Sequence, residues 1–420
     1  MPGWVLLVGF MITGLTRIFL LLTLLLAESY TLKAQSTYTI FKGVLEAKDF
    51  DPDQRQVIQL NGLWEFYWDQ LIPPGDFDNR RDDGTYFEVP STWDGAEAGG
   101  QTLTGTGFAT YRLQLIGPFK DQPLALEIQS VVNAYTLWIN NVEVARNGTP
   151  GTSLENTVPQ WLPVTETFVG DSDTLDLVMH IANFRYRRGG LYDPIVFGTE
   201  KSLMQRRASR SFGNVLLIVG LLVITVFFVG YYFIVKRHNS LLLFAGLCLT
   251  WAFRAFCTNL YLLIQYFPDF NWGIAMKTEF STMYVALIFG VLYIAKSYPK
   301  ETNKLFRNVV VIVSILFLLL TLFSSPFVVS HLLTPFHVFA GLSMILIVNI
   351  VLKAIVNDHN EAWLNALSIF LLVGLVFYEL FSFQGIFRLN YVLLSIGYLL
   401  IFLLNALSIV AKGFFASFKL

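Results

Sequence analysis

Two hydrophobic periods divide the chain. Between residues 35 and 200 apolar and polar side chains alternate, as in Leu124-Leu126-Ile128, Tyr135-Leu137-Ile139 and Leu175-Leu177-Met179-Ile181. That is the period of a strand with one buried face. Asn140-Asn141 separates the apolar stretches 134–139 and 142–145. Asn tolerates the positive φ of a tight turn, which predicts a hairpin. Pro73-Pro74-Gly75, Asp82-Asp83-Gly84 and Gly99-Gly100 mark loops, and no helical period of useful length intervenes. The segment reads as a β-sandwich. After residue 212 the alternation gives way to long apolar runs. A membrane-spanning helix needs about 20 such residues, and seven stretches qualify: 213–235, 241–264, 273–295, 308–330, 334–356, 363–383 and 391–411. The predicted fold is an N-terminal extracytoplasmic β-sandwich (residues 35–200), a juxtamembrane linker (201–212), a seven-transmembrane α-helical bundle (213–411) and a short tail (412–420).

Ahead of the sandwich, Arg17 precedes the ten-residue apolar run 18–27, the form of a secretory signal. Met11 would give a more ordinary signal as a start. Cleavage would follow Ala27 or Ala34; the alternative for residues 1–34 is an uncleaved anchor. Either way the sandwich is expected across the membrane, with the first helix running inward and the chain ending in the cytoplasm. Lys236, Arg237, Lys296, Lys300, Lys304, Arg307, Lys353, Lys412 and Lys419 then fall inside, and only Arg388 lies in an outer loop, as the positive-inside rule requires. Arg206, Arg207 and Arg210 run against it. The expected location is the inner (plasma) membrane, multi-pass, with the sandwich periplasmic.

Composition narrows the function. Of 59 charged side chains, 41 lie in residues 1–212 and 16 in 213–411. Residues 35–200 carry 23 acidic against 11 basic groups, a balance that repels phosphate and argues against nucleic acid as a partner. The only cysteines, Cys248 and Cys257, are nine residues apart on one predicted helix and cannot pair. His180 sits within a strand without metal-ligand spacing around it and reads as structural. Neither a metal nor a cofactor is called for.

A run of residues through the sandwich carries a resemblance. Leu60-Asn61-Gly62-Leu63-Trp64-Glu65-Phe66 is followed by Val89-Pro90-Ser91-Thr92-Trp93, Tyr111-Arg112 and Ala134-Tyr135-Thr136-Leu137-Trp138-Ile139-Asn140-Asn141. In this order they resemble the galactose-binding-like jelly roll that serves family 2 glycoside hydrolases as a sugar-binding domain, with Asn140-Asn141 where Asn-Gly is usual. Residues 177–183 followed by Phe184-Arg185-Tyr186-Arg187-Arg188-Gly189-Gly190-Leu191 are similar to the outer domain of bacterial seven-transmembrane receptors with diverse intracellular signalling modules (7TMR-DISM). The resemblance implies that the outer domain senses a ligand, a carbohydrate or related small molecule, and that the helices signal to a cytoplasmic module or partner protein. A glycosidase barrel needs about 250 residues, for which there is no room before the first span, so the chain is expected not to be an enzyme. Trp64, Trp93 and Trp138 match packing positions of the jelly-roll pattern. Sugars present flat apolar faces and many hydroxyls, so aromatic, Arg and Asn side chains at strand ends are the candidate ligand contacts: Asn133, Trp161, Arg185, Tyr186, Arg187 and Arg188.

Within the spans, Tyr391–Ala411 lacks a Schiff-base lysine, and the animal-receptor signatures are absent, which excludes retinal proteins and that receptor class. Charges inside a membrane normally find partners; Arg254 with Glu279 or Glu379 is the expected intramembrane pair. His331 and His337 read as flanking an outer loop at the interface. Only nine residues follow Ala411, so the output module is expected either beyond Leu420 in a longer protein or on a separate chain. A homodimer is compatible with signalling across a membrane, and membrane lipid is the bundle's other partner. Two alternatives compete with the receptor reading: a membrane-tethered glycan-binding protein, and a transporter with an outer capture domain.

Overall fold

The computed structural model describes residues 38–418, apart from 55, 80–83, 130, 132, 235–237, 358, 360 and 384–389. The signal segment and the basic residues Lys236, Arg237, Arg388 and Lys419 lie outside the described residues.

The alternating half folds as two packed sheets. The strands of these two sheets are β1 (Val44–Glu46), β2 (Val57–Gln59), β3 (Gly62–Trp68), β4 (Thr85–Val89), β5 (Gly107–Ile116), β6 (Pro123–Ile128), β7 (Ala134–Ile139), β8 (Val142–Asn147), β9 (Val164–Val169), β10 (Thr174–Asn183) and β11 (Val196–Thr199), and the short segments Ser91–Thr92 with Gly190–Leu191 and Glu97–Ala98 with Gln101–Thr102 form two further pairs. One sheet runs β8-β7-β10-β5-β3-β4, with β1 parallel against β5; the other runs β9-β6-β11-β2. The predicted hairpin joins β7 to β8, and Asn140 and Asn141 hold φ of 46° and 67°.

Inward positions of both sheets form one core, including Leu113, Leu115, Leu124, Leu126, Leu175, Leu177 and Phe197. Trp64 and Trp93 are fully buried in it; their indoles donate to the Leu60 carbonyl at 3.0 Å and the Tyr111 hydroxyl at 2.6 Å. Both thereby satisfy their one polar atom in an apolar site. Trp138 packs elsewhere, on a smaller cluster of Tyr67, Ile72, Phe77 and Val178, with its ring 4.6 Å from that of His180. His180 Nε2 lies 2.6 Å from the Ile72 carbonyl, and burial holds its pKa below the ordinary value. Beside this cluster Arg112 forms a two-bonded pair with Asp176 (2.8 and 3.1 Å) and lies 3.5 Å from Glu65.

Among the described residues, seven helices long and apolar enough to cross a membrane follow: α1 (Glu200–Ile234), α2 (Asn239–Cys257), α3 (Trp272–Ser297), α4 (Lys304–Phe323), α5 (Pro326–Val356), α6 (Ala362–Phe383) and α7 (Tyr391–Phe418). α1, α2, α3, α5, α6 and α7 close a ring in that order, and α4 packs outside against α3 and α5. Outward side chains such as Val219, Val223 and Val226 on α1, or Leu316, Leu319 and Leu320 on α4, remain exposed. A bundle facing hydrocarbon presents such a surface.

Three boundaries depart from the hydrophobic pattern. Residues 201–212, read as a linker, are the first turns of α1, which follows β11 without a break; Thr199 Oγ1 accepts from the Ser202 amide. The second span ends at Cys257 rather than 264, because Asn259 and Tyr261 turn the chain at positive φ (64° and 50°) into a short helix, Leu262–Tyr266. The turn between the fourth and fifth spans falls at Ser324-Ser325, with Ser325 capping α5 and Pro326 in its first turn. His331 and His337 therefore lie within α5, not at the sides of a loop. Replacing Trp64 with Ala should cost about 3–5 kcal/mol, the range for truncating a buried aromatic, seen as an earlier loss of near-ultraviolet circular dichroism in a urea series.

Candidate functional site

The sandwich sits on one end of the bundle, and the contact between them is the best-built polar and aromatic assembly among the described residues. Its ionic part centres on Glu127 of β6, which is 2% exposed. Arg206 and Arg210, one turn apart on α1, both reach it. Arg210 donates to Oε1 at 3.3 Å, and Arg206 Nε approaches Oε2 at 2.7 Å in an ionic contact without hydrogen-bond alignment. Arg210 also bonds Asn259 through its side-chain oxygen (2.5 Å) and its carbonyl (3.1 Å), which anchors the turn after α2. Gln129 bridges Glu127 Oε1 (2.9 Å) to the Tyr391 hydroxyl (3.2 Å) at the start of α7, and the Arg210 guanidinium lies 5.0 Å from the Tyr391 ring centroid. One buried carboxylate thus holds strand, first helix and last helix together. Two of the three arginines that run against the positive-inside rule, Arg206 and Arg210, are the counter-charges of Glu127.

The apolar part lies beside it. Trp161 and Tyr186 leave the sandwich and are buried against Ile264, Trp272, Met276, Phe280, Val329 and Phe336. Trp161 packs on Tyr261, ring centroids 5.0 Å apart. Asn183 fixes the segment bearing Tyr186: its Nδ2 donates to the Gly105 and Tyr186 carbonyls (2.6 and 2.7 Å), and its Oδ1 accepts from the Tyr186 amide at 3.0 Å. The next residue, Arg187, donates its amide to Ser330 Oγ of α5 at 3.0 Å. Burial pushes the Tyr186 pKa up to about 12, opposed by Arg187 and Arg188 and reinforced by Glu279.

Of the ligand candidates named from sequence, three come together at this contact: Trp161, Tyr186 and Arg187. They face helices, not an open surface of the sandwich. The others do not join them. Asn133 is buried within the sandwich, where Nδ2 holds the Gly190 carbonyl at 3.0 Å. Arg185 donates to the Leu154 carbonyl at 3.3 Å, and Arg188 lies 3.8 Å from Asp94. The expected intramembrane ion pair is not formed among the described residues. Arg254, in the last turn of α2, donates to the Glu279 carbonyl (3.4 Å) and Thr282 Oγ1 (3.2 Å), not to a carboxylate, and Glu379 accepts from the Tyr398 hydroxyl (3.3 Å). The reach of Arg254 is spent on α3 backbone and hydroxyl oxygens one turn away from the carboxylate. Sequence reasoning missed Glu127 altogether; the anomalous arginines were the signal that an acidic partner stood opposite.

At the far end α7 is held a second time. Lys412 donates to the Ser297 carbonyl, lies 3.5 Å from Glu361 and sits 4.9 Å from the Tyr298 ring centroid.

These features define a multi-pass membrane protein with a β-sandwich docked on its helices. Residues 211–412 match the family model described as 7TM diverse intracellular signalling. This match and the seven long apolar helices fit a seven-transmembrane receptor. No curated protein matches the chain. Among solved structures, it is similar to a beta-glucuronidase of an uncultured Clostridium (18% identity, TM-score 0.28, covering 36% of this chain and 30% of that one). Others are the beta-glucuronidases of Faecalibacterium prausnitzii (15%, TM-score 0.28, 36% and 33%) and Ruminococcus gnavus (15%, TM-score 0.27, 36% and 30%). The chain spans about a third of the length of these enzymes.

Asp193, beside Arg210 at the contact, has a pKa raised to about 6 by burial, against the attraction of Arg210. A carboxyl whose folded value lies above its unfolded one (about 3.9) contributes stability that is full below the unfolded value and lost as pH rises through about 6. Asp193→Asn is therefore expected to raise the thermal midpoint at pH 7.5, with the gain shrinking as pH falls and absent below about pH 4.

Proposed function

We propose that this chain is a receptor whose sandwich faces away from the cytoplasm, binds a small ligand of carbohydrate class, and passes its occupancy through α1 and α7 to a cytoplasmic signalling module or partner protein. The observation that carries this reading is the double attachment of the sandwich: covalently to α1, and through Glu127, Gln129 and Tyr391 to α7. α1 and α7 are neighbours in the ring, so a tilt of the sandwich moves the end of one helix against the other. Lys412 is the partner contact at which such a shift would be read on the far side.

The orientation is supported by charge. Lys296, Lys300, Lys304, Arg307, Lys353 and Lys412 all follow or precede helix ends away from the sandwich, the arrangement of cytoplasmic loops. The carbohydrate class rests on the sequence resemblance of residues 60–141 to a sugar-binding jelly roll. A plain tether is the weaker reading. One helix anchors a protein irreversibly, and an anchor has no use for a buried clasp onto the seventh. A full switch from 1:99 to 99:1 requires about 5.5 kcal/mol of differential ligand affinity, so the ligand must touch groups whose packing differs between the two states.

The test is a distance measured at one end after a change at the other. With spin labels at Ile234→Cys and Val410→Cys in the full chain in nanodiscs, Glu127→Gln should shift or broaden the label-to-label distribution by about 1–2 Å, the size of helix shifts in switching proteins. Cys248 and Cys257 are buried and should stay unlabelled. An unchanged distribution would sink the coupling. In the same variant the thermal midpoint should fall, since breaking a buried ion pair costs about 3–5 kcal/mol.

A further inference from the structure

We infer that the ligand site is the junction itself, shared between the sandwich and α3, and that it takes a neutral polyhydroxylated ring; this rests on the receptor reading above. Three buried polar atoms there have no hydrogen-bond partner among the described residues: Trp161 Nε1, Trp272 Nε1 and Glu279 Oε2. Their residues are 6%, 7% and 8% exposed. Buried donors and acceptors in folded proteins are rarely left unmatched, and two donors beside one acceptor are complementary to a molecule that can both accept and donate.

The three belong to one place. Trp272, Met276 and Glu279 follow at i, i+4 and i+7 on one face of α3. Trp161 enters the same cluster from the sandwich, packed on Tyr261. Tyr261 and Tyr186 both lie within electrostatic reach of Glu279. Aromatic rings from the sandwich, the turn after α2 and α3 therefore share one junction with an acidic acceptor and two indole N–H donors.

Charge selects the class of ligand. Arg254, bonded to the carbonyl of Glu279 and to Thr282 Oγ1, sets a positive charge against the stretch of α3 that carries the Glu279 carboxylate, so the two charges offset one another without forming a direct pair. No net charge is left over to hold an ammonium or a carboxylate. A hydroxyl can donate to Glu279 Oε2 and accept from an indole, and a ring with one apolar face can lie on the aromatic side chains. Such a ligand touches sandwich and helix bundle at once, which is the differential contact a population shift needs.

Binding can be measured by equilibrium dialysis of the full chain in nanodiscs against radiolabelled D-glucose, D-galactose and D-mannose, with choline and D-glucuronate as charged probes. The expected result is binding of a neutral sugar, weakened at least fivefold in Trp161→Phe and in Trp272→Phe, which keep a smaller aromatic ring and remove the N–H. Glu279→Gln should weaken it at least tenfold, because an amide oxygen accepts less strongly than a carboxylate. Variants are compared at matched thermal midpoints, and if one fails to fold the others decide. A neutral sugar bound equally by all three variants overturns the junction site while leaving the receptor reading intact. Preference for choline or glucuronate, or no binding of any probe by the unaltered chain, overturns the neutral-polyol assignment.

Discussion

A carboxylate removed from water must be met by positive charge and by donors, and the arrangement of this molecule follows from how Glu127 meets that requirement. Its own sheet supplies only Gln129. The cations come from the extension of the first helix, and the hydroxyl next to them from the start of the last one. Taking the two arginines away would leave an uncompensated charge in a nearly dry place. The sandwich and the bundle are consequently parts of one packing problem, although one half is built on a period of two and the other on long apolar runs.

The apolar seal beside that charge makes the same point with different chemistry. Trp161 and Tyr186 belong to the sandwich by sequence and to the helices by packing. Asn183 makes three hydrogen bonds to backbone, two of them to Tyr186 and one to the Gly105 carbonyl, and so ties the Tyr186 segment to the neighbouring loop. α7 is gripped at Tyr391 by the sandwich and at Lys412 by the turns at the opposite end. Between these grips Tyr398, Asn405 and Ser408 bond α6 through Glu379, Ser368 and the Glu361 carbonyl, so a movement of α7 along the bundle has to exchange these bonds.

Much of this was legible in the residues. Alternation located the long strands, Asn140-Asn141 marked the hairpin, and runs of about 20 apolar residues placed seven helices. The boundaries that went astray share a cause. Hydropathy records how apolar a segment is, not where its backbone turns. It therefore ran the fourth span through Ser324-Ser325-Pro326, where a helix cap and a first-turn proline were the better guide. It also missed that 201–212 is helical, because that turn-rich-looking charged stretch is solvated on one face and paired to Glu127 on the other. Candidate ligand residues chosen for chemical type included Trp161 and Tyr186, which do share a location. Their apposition to α3 depends on tertiary contacts across 86 residues or more, which no local pattern encodes. The Arg254 pairing failed for a related reason: the span holding it stops at Cys257, which sets the guanidinium opposite oxygens of the neighbouring helix that sequence cannot rank.

The unbroken passage from β11 into α1 has a further consequence, one of helical phase. In a helix each residue turns the chain by about 100° and advances it about 1.5 Å. With no flexible segment between Thr199 and Glu200 to absorb a change, one inserted or deleted residue in the first turns of α1 would swing the entire sandwich about a quarter-turn around the bundle. Glu127 would then face away from Arg206 and Arg210. The length of that short stretch is thus set by angle as much as by distance, and any relative with a different sandwich on the same helices must preserve the angle or rebuild the clasp.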